Sequence, residues 1–157
     1  MERFNELPAD RAEKELLTCC ASPAFARAVA GGRPYPDRDA LIAAADAALR
    51  ALTWADVSDA LAAHPRIGER PAGADRESAW SRREQSGIDA GDELVAANRE
   101  YEERFSHVFL IFATGKDRAQ VLAAARERLA NDDATEREVV HGELRKIALL
   151  RLGRLVP

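Results

Sequence analysis

A chain of 157 residues with 46% hydrophobic and 32% charged residues has the size and composition of one ordinary globular domain, not of a disordered polymer. Its formal net charge of −4 gives solubility but no broad attraction to phosphate backbones, which argues against nucleic acid as a partner. No apolar stretch approaches the roughly 20 residues needed to span a membrane. The first residues, Met1-Glu2-Arg3-Phe4-Asn5-Glu6, lack the apolar core of a signal peptide, and Leu155-Val156-Pro157 is not a peroxisomal address. The expectation is a protein without membrane association, with the cytoplasm as default compartment. Cys19 and Cys20 are adjacent and rarely could bridge, since a disulfide needs separated, facing Cβ atoms; they read as reduced thiols in a helix.

Ala, Leu, Arg and Glu dominate, and Pro and Gly signals divide the chain into helices, with no internal repeat and no linker. Pro8 to about Cys20 predicts the first helix, with Pro8 in its opening turn and Leu16, Leu17 and Cys20 on one face. Ser22 reads as an N-cap with Pro23 just inside, and Gly31-Gly32 as the end of that helix. Arg33-Pro34-Tyr35-Pro36 reads as an extended turn. Leu41, Ile42, Ala45, Leu49 and Leu52 have helical spacing. Thr53 and Asp56 resemble a capping box for a helix carrying Val57, Ala60 and Leu61 that stops near His64-Pro65, because a residue before proline avoids the α region. Residues 65–74 read as a loop, Asp75 to Gln85 as a helix broken at Ser86-Gly87, and 91–104 as a helix with Leu94, Ala97 and Tyr101 on one face. Val108 to Ala113 is an apolar run of strand-like composition, closed by Thr114-Gly115. It has no strand partner and is expected as a buried extended segment or a helical piece. Two helices near 117–130 and 135–153 complete the chain, the last with a capping box of Thr135 and Glu138. The fold class is therefore all-α: a single-domain helical bundle of about six to eight helices over residues 1–157. Such bundles build ligand sites between facing helices and at their connecting loops.

Two features stand out chemically. His64, before Pro65, is pinned at the end of a helix; it reads either as a C-terminal cap interacting with the helix dipole or as a catalytic imidazole held at a fixed corner. Ser81, Glu84 and Gln85 share a helix face, which is either a solvated surface or a polar grip for an amide- or urea-like ligand; Arg82 and Arg83 point elsewhere. His107 and His141 have no ligand-like spacing with His64, and neither His-Glu-x-x-His nor Cys-x-x-Cys occurs, so no metal site is expected. Glycine-rich phosphate motifs, a serine-hydrolase elbow and a catalytic-cysteine context are absent too. Arg33 is an anion-binding candidate or a solvated loop arginine. Arg151, among Leu149, Leu150 and Leu152, is either buried towards an anionic ligand or snorkelling.

Together these segments resemble a known family. They are Phe4-Asn5-Glu6-Leu7-Pro8; Cys20-Ala21-Ser22-Pro23-Ala24-Phe25-Ala26; Arg33-Pro34-Tyr35; His64-Pro65-Arg66-Ile67-Gly68; and Ser81 to Gly87. Asn98 to Phe105, Phe109-Leu110-Ile111, Arg128-Leu129-Ala130-Asn131 with Glu136 or Glu138, and Lys146 to Leu152 follow. In this order the set resembles 2-oxo-4-hydroxy-4-carboxy-5-ureidoimidazoline (OHCU) decarboxylase, which completes the conversion of urate to (S)-allantoin. One departure is Ser106-His107, where the family often has Gly and then a variable residue.

The resemblance implies a cofactor-free carboxy-lyase acting on a small molecule, and a homodimer. It implies His64 and Glu84 as catalytic residues. It also implies substrate contacts from Pro65, Ser81, Gln85 and Arg151 and from the backbone at Phe109, Leu110 and Ile111. The neighbouring carbon–nitrogen double bond of the substrate can accept the electron pair left by carbon dioxide, which is why no pyridoxal or thiamine site is called for. Two rival readings remain at this point: a helical ligand-binding or assembly module without catalysis, and a same-scaffold decarboxylase for a related ureido acid.

Overall fold

The computed structural model describes residues 1–68, 76–85 and 91–157, and these carry nine α-helices and no strand. The all-α expectation therefore holds. The element beyond the expected six to eight is α1 (Glu2–Glu6), too short to show a period in the sequence. It is followed by α2 (Ala9–Cys19), α3 (Pro23–Gly31), α4 (Arg38–Arg50) and α5 (Trp54–Leu61). Then come α6 (Arg76–Glu84), α7 (Asp92–Phe105), α8 (Arg118–Arg128) and α9 (Asp133–Leu155). Two compact units are formed, one from residues 1–60 and 144–157, the other from residues 61–143.

In the first unit, α2 packs on α3 and α3 on α4. Leu16, Phe25, Val29, Leu41 and Leu49 are essentially sealed from solvent, as the helical spacing predicts. Pro8 is the N-cap of α2, one step outside the expected first turn, because its ψ of 149° is extended. Ser22 caps α3 by accepting the Phe25 N–H at 3.3 Å, with Pro23 inside, as expected. Thr53 and Asp56 form the expected reciprocal box: Thr53 N–H donates to Asp56 Oδ2 at 3.0 Å and Asp56 N–H to Thr53 Oγ1 at 3.2 Å.

A clasp joins α1 to the turn after α3. Asn5 reads the main chain of Tyr35 in both directions, accepting its N–H and donating to its carbonyl, each at 2.9 Å. Arg33 Nη1 donates to the carbonyls of Phe4 (2.9 Å) and Leu7 (2.7 Å), and Nε to that of Ala30 (3.0 Å). Nε and Nη1 of Arg33 are thus engaged by carbonyls at the ends of two helices, and the half-buried side chain is not a freely solvated one. Along the last part of α9, Arg145 pairs with Asp46 of α4, and Arg38 Nε donates to the Val156 carbonyl at 3.0 Å.

In the second unit α7 packs on α8, and Leu94, Ala97 and Tyr101 are buried as predicted. A hydrophobic core gathers Ile67, Leu94, Tyr101, Phe109, Ile111 and Val121. Residues 108–113 are neither helix nor strand, yet Phe109, Leu110, Ile111 and Ala113 are buried, so of the two expected forms, a buried extended segment or a helical piece, the helical one is not found. The expected cap of α9 is corrected. The helix begins at Asp133, two residues before Thr135, and the Thr135 N–H donates to Asp132 Oδ1 at 2.7 Å, so Asp132 does the capping. The loop positions 69–74, the start at Asp75 and the break at Ser86-Gly87 lie outside the described residues.

Ser106 ends α7 at φ 65°, in the left-handed region where a side chain is strained. A glycine in the same conformation would carry no such strain. Ser106 is exposed, so nothing else is lost on removing its side chain. Ser106→Gly should therefore raise unfolding stability by roughly 0.5–1 kcal/mol, a melting-temperature gain of about 1–4 °C for a chain of this size. Thermal and urea unfolding read the change.

Candidate functional site

His64 lies three residues beyond the last residue of α5, so the helix stops earlier than Pro65 requires. The His64 N–H donates to the Leu61 carbonyl at 3.0 Å and closes the final turn, and the residue is half-buried. Pro65 follows half-buried, and Ile67 enters the core of the unit.

On α6 the polar face predicted from spacing is the inward one. Ser81 (5% exposed) and Glu84 (9%) are buried, whereas Arg82 and Arg83 are exposed. The solvated-face alternative for Ser81 and Glu84 is thereby overturned. Gln85 continues the last turn through its N–H to the Ser81 carbonyl (3.1 Å), and its Oε1 accepts the Gly68 N–H at 2.9 Å. This bond ties the end of α6 to the segment that begins at His64. Asn98 of α7 holds the same segment by donating Nδ2 to the Ile67 carbonyl at 2.8 Å.

The third component is the buried stretch at 109–111. Val108 O lies 3.0 Å from His107 Nδ1, and the Leu110 carbonyl accepts Arg128 Nη1 at 2.7 Å. Among the described residues, the N–H groups of Phe109, Leu110 and Ile111 and the carbonyls of Phe109 and Ile111 have no hydrogen-bond partner. Buried main-chain groups left open in this way are rare in folded proteins, and they are what a polar ligand can complete. Ile67, Phe109 and Ile111 belong to one core, so the structure brings the His64 segment, the end of α6 and this stretch into one unit.

Sequence reasoning missed the polar cluster behind the stretch. Glu136 is fully buried and receives Arg128 Nε (2.8 Å), Arg128 Nη2 (2.6 Å) and Tyr101 Oη (2.5 Å) on Oε1, and Asn131 Nδ2 (3.0 Å) on Oε2. Burial and the bond to Glu136 push the Tyr101 phenol well above its ordinary value. A signal existed in the sequence. Glu136, Val140 and Leu144 recur every four residues on α9, which places a carboxylate on an apolar stripe.

Arg151 is placed in the other unit, at the far end of the same helix. It is 5% exposed, so the snorkelling alternative is excluded. Its charge acts on Cys20, whose thiol burial nonetheless pushes up to about 12. Among the described residues no three His, Cys, Asp or Glu side chains are grouped to hold a metal ion, and no helix is long and apolar enough to cross a membrane.

An all-helical chain with this set of polar motifs defines a class that comparison with known proteins identifies. The family model described as OHCU decarboxylase matches residues 5–153. The uric acid degradation bifunctional protein TTL of Arabidopsis thaliana is 32% identical over 152 residues. That match covers 91% of this chain and 47% of the relative, so the chain spans about half of its length. The 2-oxo-4-hydroxy-4-carboxy-5-ureidoimidazoline decarboxylase of Amia calva is 32% identical over 141 residues, covering 85% of this chain and 81% of that one. A crystal structure of an OHCU decarboxylase obtained in the presence of (S)-allantoin superposes with a TM-score of 0.74 at 29% identity, covering 90% of this chain and 96% of that one. This chain belongs to the OHCU decarboxylase family.

Cys19 and Cys20 are both sealed in the core. With its thiol pKa raised from 9.0 to about 12, folded Cys20 holds its proton more tightly than the unfolded chain does. That contribution is complete below pH 9 and is lost as the pH climbs towards 12. The urea midpoint should therefore fall between pH 8 and pH 11, and at pH 8 iodoacetamide should label Cys20 only as fast as the protein unfolds.

Proposed function

We propose that this protein decarboxylates 2-oxo-4-hydroxy-4-carboxy-5-ureidoimidazoline to (S)-allantoin in urate degradation, as a cofactor-free carboxy-lyase. The substrate has its carboxylate and hydroxyl on one ring carbon, next to a carbon doubly bonded to nitrogen that carries the ureido group. When the bond to the carboxylate breaks, its electron pair moves towards that double bond and carbon dioxide leaves. The nitrogen of that double bond, which receives the pair, takes up one proton; the hydroxyl then gives up its proton and becomes the ring carbonyl, and the ureido-bearing carbon gains one. Overall, substrate anion and one proton give carbon dioxide and allantoin. The substrate is its own electron sink, and the protein has to orient it and handle protons on one face.

In this reading His64 is the general acid/base, and Pro65 holds its position. Glu84 binds ureido and ring N–H groups and sets the face on which the new C–H bond forms. Ser81 adds a hydrogen bond, and Gln85, whose carbonyl is engaged by Gly68, contributes its N–H₂. The open backbone groups at Phe109, Leu110 and Ile111 complete the polar contacts. The observation that supports the site is that, among the described residues, the buried, unpaired main-chain groups at 109–111 and the buried polar face of α6 fall in the same unit as His64. We further propose that residues 1–157 act as one domain, that two copies form a homodimer, and that the enzyme works in the cytoplasm.

Freshly generated substrate, followed by optical activity, tests the reaction. Wild-type protein should accelerate the appearance of a single allantoin enantiomer. His64→Asn and Glu84→Gln should each reduce kcat/KM by about 10²–10⁴-fold, with Glu84→Gln also lowering enantiomeric excess. A racemic product at the spontaneous rate would mean a non-catalytic binding module. That background here, with turnover of another ureido acid, would point to a different substrate on the same scaffold.

A further inference from the structure

We infer that Arg128 is a positioning residue for the reaction: anchored by Glu136, it fixes the Leu110 carbonyl and so sets the main-chain groups of Phe109 and Ile111 that meet the substrate. The inference rests on the site reading given above.

The stretch 108–113 has no helix or sheet ladder to set its backbone. Something else must define where its polar groups lie, and Arg128 does so with two kinds of contact. Nη1 donates to the Leu110 carbonyl at 2.7 Å, and the guanidinium carbon sits 4.5 Å from the Phe109 ring centroid. One planar cation thus holds the main chain at one residue and the side chain of the residue before it.

The cation is itself rigid. Its remaining donors, Nε and Nη2, both end on Glu136 Oε1 (2.8 and 2.6 Å), so all three nitrogens are committed. Glu136 is fully buried and further held by Tyr101 Oη and Asn131 Nδ2. Tyr101 returns to the stretch through an edge contact with Phe109, ring centroids 5.1 Å apart. The fork geometry matters, because an ammonium has no fixed second and third donor with which to hold Glu136 while reaching Leu110. Since Arg128 takes the Leu110 carbonyl, the carbonyls alternate along the stretch, with those of Phe109 and Ile111 left open on either side among the described residues.

The experiment compares Arg128→Lys, Tyr101→Phe and the stability control Val140→Ala, a buried α9 position outside the cluster. Steady-state kinetics, calorimetric titration with (S)-allantoin and amide hydrogen exchange at 109–113 are measured well below each melting temperature. Tyr101→Phe keeps the Arg128–Glu136 pair and guards against loss of folding in Arg128→Lys. Arg128→Lys should raise KM and the allantoin Kd by about tenfold, a loss expected from misplacing one or two hydrogen-bonded contacts. It should change kcat less and speed exchange at 109–113. Tyr101→Phe should move the same readouts in the same direction by a smaller factor, whereas Val140→Ala lowers the melting temperature alone. Unchanged exchange at 109–113 in both cluster variants would overturn the inference, whatever KM does. Faster exchange with unchanged KM and Kd would instead overturn the placement of 109–111 at the substrate.

Discussion

A carboxylate with no solvent exposure cannot stand alone in a protein interior. Glu136 must be neutralised and hydrogen-bonded, and meeting that demand organises the second unit. Its partners come from the end of α8 (Arg128), the turn after it (Asn131) and the middle of α7 (Tyr101). A buried ion pair of this kind is a weak source of net stability, since desolvation offsets most of the attraction. It is a strong source of geometry, because the bonds form only at one mutual arrangement of three elements. The irregular stretch at 108–113 depends on that arrangement through Arg128, and the binding reading depends on the stretch.

The helices were largely legible because their signals are local. Ser22 with Pro23, Thr53 with Asp56, and the spacing of Leu94, Ala97 and Tyr101 each act within a few residues, and each appears in the structure where the sequence places it. The errors are local too. At α9 two adjacent aspartates precede Thr135, and because the helix begins at Asp133, Asp132 stands at the capping position, with the Thr135 N–H within its reach. At α5 the reading relied on Pro65 to end the helix, but Ala62 and Ala63 already form a turn that His64 closes.

The site was legible in a different way. That Ser81 and Glu84 share a face follows from spacing, but whether the face looks inward is decided by packing that spacing does not contain. Arg33 shows the opposite limit. The sequence left it as an anion-binding candidate or a solvated loop arginine, yet Nη1 donates to carbonyls more than twenty residues away in the chain. Glu136 fell between the two cases: its place on the apolar stripe of α9 was visible, but the partners that make its burial tolerable lie on other elements. Assigning roles to such residues requires long-range contacts, which a resemblance implies only in aggregate.

The clasp at the start of the chain has a consequence for sequence variation. Asn5 recognises Tyr35 solely through main-chain atoms, while the Tyr35 hydroxyl is spent on the Val29 carbonyl at 2.7 Å. Position 5 thus demands a short amide whatever residue other than proline occupies position 35, so position 35 can vary while position 5 stays fixed. Covariation between them would be faint even though they touch, so a contact map inferred from paired substitutions would overlook one of the most direct links in the first unit.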